Sequence, residues 1–230
     1  MPRFFAEIID SRKALIRGND AAHILGPLRL RVGDELPIRN MQQGYLGMIR
    51  EIHRGEILLE IVGRESLSDR GSARVSLAMS LISLKDMDAV IRGVTELGVA
   101  EIHPLNTARS NVHDITRARS SRWEAIVMEA MKQCQRRSMP TLNEVEPLET
   151  FITQTASRWK TRLVARQGAE QSVFSCRNDE VGILIGPEGG FSPSEMAMIL
   201  GAGFTPVSLG NTTLRSVTAA LYAVGVLAQE

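Results

Sequence analysis

The residues whose types and spacing could do chemistry lie in 181–195, VGILIGPEGGFSPSE. A short apolar run, Val181, Ile183, Leu184 and Ile185, has the length and β-branched content of a buried strand. It breaks into Gly186-Pro187-Glu188-Gly189-Gly190. Ser192-Pro193-Ser194-Glu195 then carries helix-start signals: a serine N-cap, a proline at the first helical position and a glutamate three residues on. Strand, glycine-rich loop and helix start follow in that order. In an open α/β sheet ligands bind outside the carboxyl ends of the strands, and glycines let the backbone approach a bound molecule closely. The spacing alone equally allows a tight turn that holds nothing. No Gly-Lys-Ser/Thr follows, so this is not a Walker loop, and it is not the GxGxxG of a dinucleotide site.

Two other loops share this placement. The run 162–166 ends in a polar loop from Gln167, and the run 205–209 ends in Gly210-Asn211-Thr212-Thr213-Leu214-Arg215. One adenosine-sized ligand could lie across all three. The helix that follows, capped by Ser216 or Thr213, is apolar around most of its circumference (Ala219, Ala220, Leu221, Ala223, Val224, Val226, Leu227). Such a helix is a core element or a dimer contact.

The elements that position these loops begin after a change of pattern. Residues 1–68 read as a small β-rich domain, with strands over 34–40, 45–53 and 56–62 and one helical turn over 20–25 ended by Gly26-Pro27. Residues 63–74, GRESLSDRGSAR, read as a linker. From 75 to 230 strands and helices alternate, which implies a mainly parallel sheet. The strand 75–82 leads to a helix capped by Ser83 and Asp86, with Met87, Val90, Ile91, Val94 and Leu97 on one face and Gly98 as its stop. The strand 99–105 and a polar loop over 106–114 follow. A long helix over 116–136 buries Trp123, Ile126, Val127, Ala130, Met131 and Cys134, with Glu129, Gln133 and Arg136 along one flank. A short helix is expected over 148–156 and another over 193–200.

Composition bounds the partners. The chain has 230 residues and a formal net charge of +1, so any nucleic-acid surface must be local. Between Ala108 and Pro140 seven basic residues (Arg109, Arg117, Arg119, Arg122, Lys132, Arg136, Arg137) face three acidic ones (Asp114, Glu124, Glu129), an excess of four. That helix is the best candidate for phosphate contact, with an ordinary solvated face as the alternative. Arg3, Arg12, Lys13, Arg17, Arg29 and Arg31 make the amino-terminal stretch basic too. Cys134 and Cys176 lack metal-ligand spacing, so no metal is expected, and isolated thiols fit a reducing cytoplasm. No run is long and apolar enough to suggest a membrane span. His23, His53, His103 and His113 are scattered, and none suggests a general base.

Five stretches together resemble a family: GPEGGFSPSE, LGNTTLRSVTAAL, TELGVAEIHPLNTARS, EAMKQCQRRSMP and the amino-terminal HILGPLRLRVGD. They are similar, in the same order and over nearly the whole chain, to the bacterial 16S ribosomal RNA uridine-N3 methyltransferases of the SPOUT class. The resemblance implies an α/β fold: a carboxy-terminal trefoil-knot domain with a mainly parallel sheet, plus a small PUA-like β-barrel that binds RNA. It also implies S-adenosylmethionine as cofactor, 16S rRNA or the small ribosomal subunit as partner, and a homodimer. By position, Gly186, Pro187, Glu188, Gly189, Gly190, Leu209, Gly210, Leu214, Thr218 and Ala219 would form the cofactor pocket. Loss of the uracil N3 proton calls for a cation or backbone N–H groups near the flanking carbonyl oxygens, a role for Arg215 or Arg109, and Arg3, Arg29, Arg31, Gln133 and Arg136 would contact RNA. The chain departs from the family's Leu-Arg-Thr-Glu-Thr-Ala at Ser216 and Val217, from its Glu-Arg-Ser at Ala108, and from its Glu-Gln pair at Lys132. Gly93 stands where the family has a basic residue. The competing readings are an RNA-binding or assembly protein that keeps the knot without the usual chemistry, favoured by Val217 and Ala108, and a phosphate-binding α/β enzyme, opposed by the missing lysine.

Overall fold

The computed structural model describes residues 4–40, 43–65, 74–134, 136, 138–176 and 180–228. The chain divides into two compact units, 1–69 with 132–139, and 70–131 with 140–230.

The first unit contains a six-stranded sheet. In chain order its elements are β1 (Phe4–Phe5), β2 (Glu7–Ile8), β3 (Lys13–Ile16), α1 (Gly18–Leu25), β4 (Glu35–Arg39), β5 (Gly44–His53) and β6 (Glu56–Glu65). The order across the sheet is β1-β4-β5-β6-β3-β2, antiparallel except for β1 on β4. The two outermost strands are consecutive in the chain, with only Ala6 between them. The sheet therefore has to curl until its edges nearly meet, which gives a nearly closed barrel. Alternation turns Ala14, Ile16, Leu36, Ile38, Ile57 and Leu59 inward, where they pack with Ile24 of α1. The helix α1 is two turns, longer than the single expected turn. The strand β6 runs through Gly63 to Glu65, so the first residues of the expected linker are sheet; 66–73 lie outside the described residues. The strands β1–β3 were not expected, because they are two to four residues long and, apart from the β2–β3 hairpin, pair with distant partners.

The second unit is α/β. Its elements are β7 (Arg74–Ser80), α2 (Leu84–Glu96), β8 (Glu101–Asn106), α3 (Arg117–Cys134), β9 (Thr141–Leu142), β10 (Glu146–Pro147), α4 (Leu148–Thr150), β11 (Thr161–Ala165), β12 (Glu180–Ile185), α5 (Pro193–Gly201), β13 (Thr205–Val207) and α6 (Ser216–Ala228). The last residues of α3, from Lys132, fall in the first unit. The seven-stranded sheet has the order β10-β8-β7-β12-β11-β13, with β9 on β8, and every pairing is parallel. This is the mixed α/β class the alternation implied. Its central strands β7 and β12 are buried on both faces, as a covered parallel sheet requires. Ser83 caps α2 by accepting from the Asp86 N–H at 3.2 Å, and Gly98 ends that helix region with φ of 100°. The stretch after α4 widens into a π-type turn at Phe151–Thr155 and tightens into a 3₁₀ turn at Ala156–Arg158.

Two expectations for α3 need correction. Trp123, Ile126, Val127, Ala130 and Met131 are buried, but Cys134 is only half-buried. The helix ends at Cys134, so Arg136 lies beyond it rather than on a helical flank with Glu129 and Gln133.

Candidate functional site

The loops after β11, β12 and β13 converge on one cavity of about 290 Å3. Because β12, β11 and β13 are neighbours in a parallel sheet, their carboxyl ends emerge side by side. Ala165, Arg166 and Gln167 line the cavity from the first loop, 185–188 with Gly190 and Phe191 from the second, and 208–210 with 212–214 from the third. Met196 of α5 and Ser216 and Ala219 of α6 complete the wall. The volume is at the lower end of the roughly 300–1,000 Å3 common for small-molecule sites.

Local sequence explains the shape. Gly190 has φ of 65° and its N–H donates to the Pro187 carbonyl at 2.8 Å, closing a tight turn. Gly210 has φ of 132°, also in the region that favours glycine. At Gly186 a Cβ would stand 3.1 Å from the Phe191 ring, so the missing side chain lets that ring lie against the loop. Ser192 accepts from the Glu195 N–H at 3.2 Å while Glu195 Oε2 accepts from the Ser192 N–H at 2.8 Å, the expected capping box, with Pro193 at the first position. Gln167 Nε2 donates to Thr213 Oγ1 at 2.8 Å, tying the first loop to the third. The wall mixes apolar surface (Ile185, Pro187, Leu209, Leu214, Met196) with the polar side chains of Gln167 and Thr213. That combination suits a nucleoside-sized organic molecule.

A fourth loop, 107–111 after β8, braces the glycine-rich one from outside. The Ala108 N–H donates to Glu195 Oε1 at 2.7 Å, Arg109 Nη1 to the Gly189 carbonyl at 2.6 Å, and Asn111 Nδ2 to Glu188 Oε2 at 3.3 Å.

Of the sequence-predicted cofactor residues, Gly186, Pro187, Glu188, Gly190, Leu209, Gly210, Leu214 and Ala219 line the cavity, and Gly189 and Thr218 do not. Arg215 is exposed between two lining residues, Leu214 and Ser216. Arg109 is committed through Nη1 to the Gly189 carbonyl. Ser216 is the first residue of α6 rather than a residue ahead of it. Ala165, Arg166, Phe191, Met196 and Ser208 line the cavity without having been singled out. Phe191, an aromatic directly after two glycines, was the legible one among them.

The residues predicted to meet RNA gather in the first unit. Arg29, with φ of 53°, Arg31 and Gln133 are exposed, Arg136 is half-buried, and Arg3 lies outside the described residues. The basic excess of 108–140 is smaller in space than in sequence. Arg119 and Arg122 both pair with Asp88 at 3.0 Å, and Lys132 pairs with Asp20 at 3.1 Å. A second hollow of about 800 Å3, lined by Asn106, Arg117, Glu124, Asn143 and Glu146 among others, holds none of the predicted site residues. Among the described residues no group of three His, Cys, Asp or Glu side chains is placed to hold a metal ion, and no helix is long and apolar enough to cross a membrane.

In this chain a barrel-like unit is followed in sequence by a parallel sheet whose adjacent strand ends share one cavity. Residues 69–228 match the model of the RNA methyltransferase domain, and the chain belongs to that family. Over 230 residues it is 26% identical to ribosomal RNA small subunit methyltransferase E of Aquifex aeolicus, covering 97% of each chain. Among solved structures, a protein of Porphyromonas gingivalis described as a probable rRNA methyltransferase is 31% identical with a TM-score of 0.83, covering 97% of this chain and 95% of that one. Ribosomal RNA small subunit methyltransferase E of Neisseria gonorrhoeae, bound to S-adenosyl methionine, is 26% identical with a TM-score of 0.77, over 97% and 95% of the two chains.

Proposed function

We propose that this chain methylates N3 of a uridine in 16S ribosomal RNA of the small subunit, using S-adenosylmethionine. The observation that carries the reading is the cavity at the ends of β11, β12 and β13, built from the loops that resemble the family's cofactor loops. Support for the RNA substrate comes from full-length relatives named for small-subunit rRNA methylation.

The residues present fit the cofactor. Ile185, Gly186, Leu209, Gly210, Leu214 and Ala219 would hold it, the two glycines leaving the backbone open to a ligand. When bound, S-adenosylmethionine supplies an electrophilic methyl group on a sulfonium. The chain's own part is to position and to manage charge. The uracil N3 proton has to leave, and negative charge then spreads onto the flanking carbonyl oxygens. A cation there lowers the barrier. Arg215, exposed beside the cavity, is the side chain we assign to that role. Arg109 holds the glycine-rich loop through the Gly189 carbonyl. Arg29, Arg31, Gln133 and Arg136 belong to the RNA-contacting surface of the first unit, for which Arg3 is also a candidate. The barrel as a PUA-like module, the knotted threading of the last segment and a homodimer are parts of the same reading.

The experiment is cofactor-dependent methylation of small-subunit RNA followed by mass spectrometry of its nucleosides, with wild type and Arg215→Ala. N3-methyluridine formed by wild type and lost in the variant supports the reading. Calorimetric binding of S-adenosylmethionine without any methyluridine would instead favour an RNA-binding protein that has kept the fold.

A further inference from the structure

Glu195 is legible in the sequence as the third residue of a capping box, and that role uses one of its two carboxylate oxygens, Oε2, on the Ser192 N–H. Its other oxygen, Oε1, accepts from the Ala108 N–H at 2.7 Å, a residue 87 positions earlier in the chain. Glu195 is absent from the wall of the cavity, although its chain neighbour Met196 is part of it. We propose that Glu195 is a positioning residue of the ligand site: it fixes the loop 107–111 and the glycine-rich loop 186–190 in a single frame.

The geometry makes the carboxylate the hinge pin of a three-point brace. Thr107 accepts from the Ser110 N–H at 3.1 Å, so 107–110 is a β-turn that projects Arg109. From that turn Arg109 Nη1 reaches the Gly189 carbonyl, and Asn111 reaches Glu188. These two contacts fall on the exposed crest of the glycine-rich loop. The Ala108–Glu195 bond falls at the start of α5, where the loop ends. Gly186 to Gly190 carries few side chains that could anchor it to the rest of the unit. Its path is held by the brace on one side and by the turn between Pro187 and Gly190 within. A shift of about 1 Å at such a loop can cost roughly a hundredfold in a reaction that depends on orientation.

The contact uses a backbone N–H of residue 108, so it survives the replacement of a family glutamate by alanine there. It depends instead on an acceptor at 195. Glutamine can donate from its amide nitrogen but cannot accept through it, so only one of the two N–H groups would keep its partner.

The brace rests on the reading of the cavity as an S-adenosylmethionine site, and the test separates the two. Calorimetry with S-adenosylmethionine on the full chain comes first: wild type that binds nothing ends the functional reading and leaves no affinity to partition. Given binding, Ala108→Pro removes the one N–H at a turn position where proline is favoured, and leaves the capping box intact. We expect its affinity to fall by roughly tenfold or more. Ser192→Ala removes the cap hydroxyl and should lower Tm by about 2–4 °C with affinity unchanged. Glu195→Ala should lose both properties, and Glu195→Gln should lie between it and wild type in affinity. Wild-type affinity in folded Ala108→Pro overturns the proposal. If that variant fails to fold, equal affinity in wild type, Glu195→Gln and Glu195→Ala overturns it.

Discussion

Gly182 lies directly beneath Trp159: a Cβ on residue 182 would stand 1.8 Å from the indole ring. Gly182 is in β12, a central strand, and Trp159 follows the 3₁₀ turn that ends the stretch after α4. The indole also meets Phe151 with ring centroids 5.1 Å apart, His103 at 5.8 Å and Phe204 at 6.2 Å. The glycine is a seat for the largest side chain of that cluster. Gly182→Ala should therefore destabilise the second unit by about 2–3 kcal/mol, the upper part of the range of about 1–3 kcal/mol for forcing extra volume into a packed core. Scanning calorimetry should show the loss, and Trp159→Leu in the same chain should recover part of it.

Asp88 of α2 is shared by three donors of α3. Trp123 Nε1 reaches Oδ1 at 3.0 Å, Arg119 Nη2 reaches Oδ1 at 3.0 Å, and Arg122 Nε reaches Oδ2 at 3.0 Å. Trp123 is 2% exposed, so its N–H has no solvent to fall back on. Asp88→Ala should cost about 2–3 kcal/mol in denaturant unfolding, chiefly through the stranded indole N–H, since Arg119 keeps the Leu84 carbonyl and Arg122 is exposed. Asp88→Asn keeps an acceptor for Trp123 and should cost clearly less.

Glu101 sets an acid limit. The hydrogen bond from His103 is the largest influence on its carboxyl; with the bond and charge of Arg74 it outweighs burial and holds the pKa at about 2, against an ordinary 4.5. The folded value is depressed, so the stabilisation is fully present above about pH 4.5 and is lost as pH falls toward 2. Glu101→Gln should flatten the dependence of Tm on pH across that window while lowering Tm at neutral pH.

At Gly186 the neighbour is a wall residue. A Cβ there would press on the Phe191 ring at 3.1 Å and disturb a wall that both residues form. Gly186→Ala should weaken S-adenosylmethionine binding by roughly tenfold with a stability change of about 1 kcal/mol, since the half-buried Phe191 ring has to give by only a few tenths of an ångström. Gly190→Ala meets no atom within 4 Å, so its effect should come only from the φ of 65°. Calorimetry and Tm measured on both variants distinguish crowding from backbone strain.

The site loops were legible because glycine, proline and cap residues mark them locally. The run from β12 through Gly186 to the capping box of α5 needs no partner to be read. What escaped was set by pairing across the chain. Phe4, Glu7 and Lys13 begin strands of two to four residues: β1 exists through β4, β3 through β6, and β2 through β3. The basic surface predicted around α3 shrank because Arg119 and Arg122 find Asp88 about 30 residues upstream, and Lys132 finds Asp20 at a separation of 112. Arg109 carries the charge suited to catalysis, yet its Nη1 donates to a carbonyl of the loop it steadies. No periodicity could have shown the second use of Glu195.

The last helix serves two masters. Its first turn gives Ser216 and Ala219 to the cavity wall, while Ala223, Val224 and Leu227 are buried further along, and Leu221 reaches Gly93 on α2 so closely that a Cβ there would stand 2.4 Å away. A ligand that grips the first turn therefore holds one end of a strut whose other end is core. Occupancy should raise the melting point of the whole second unit and slow amide exchange as far as α2, because the site cannot open without unseating the helix that closes the unit.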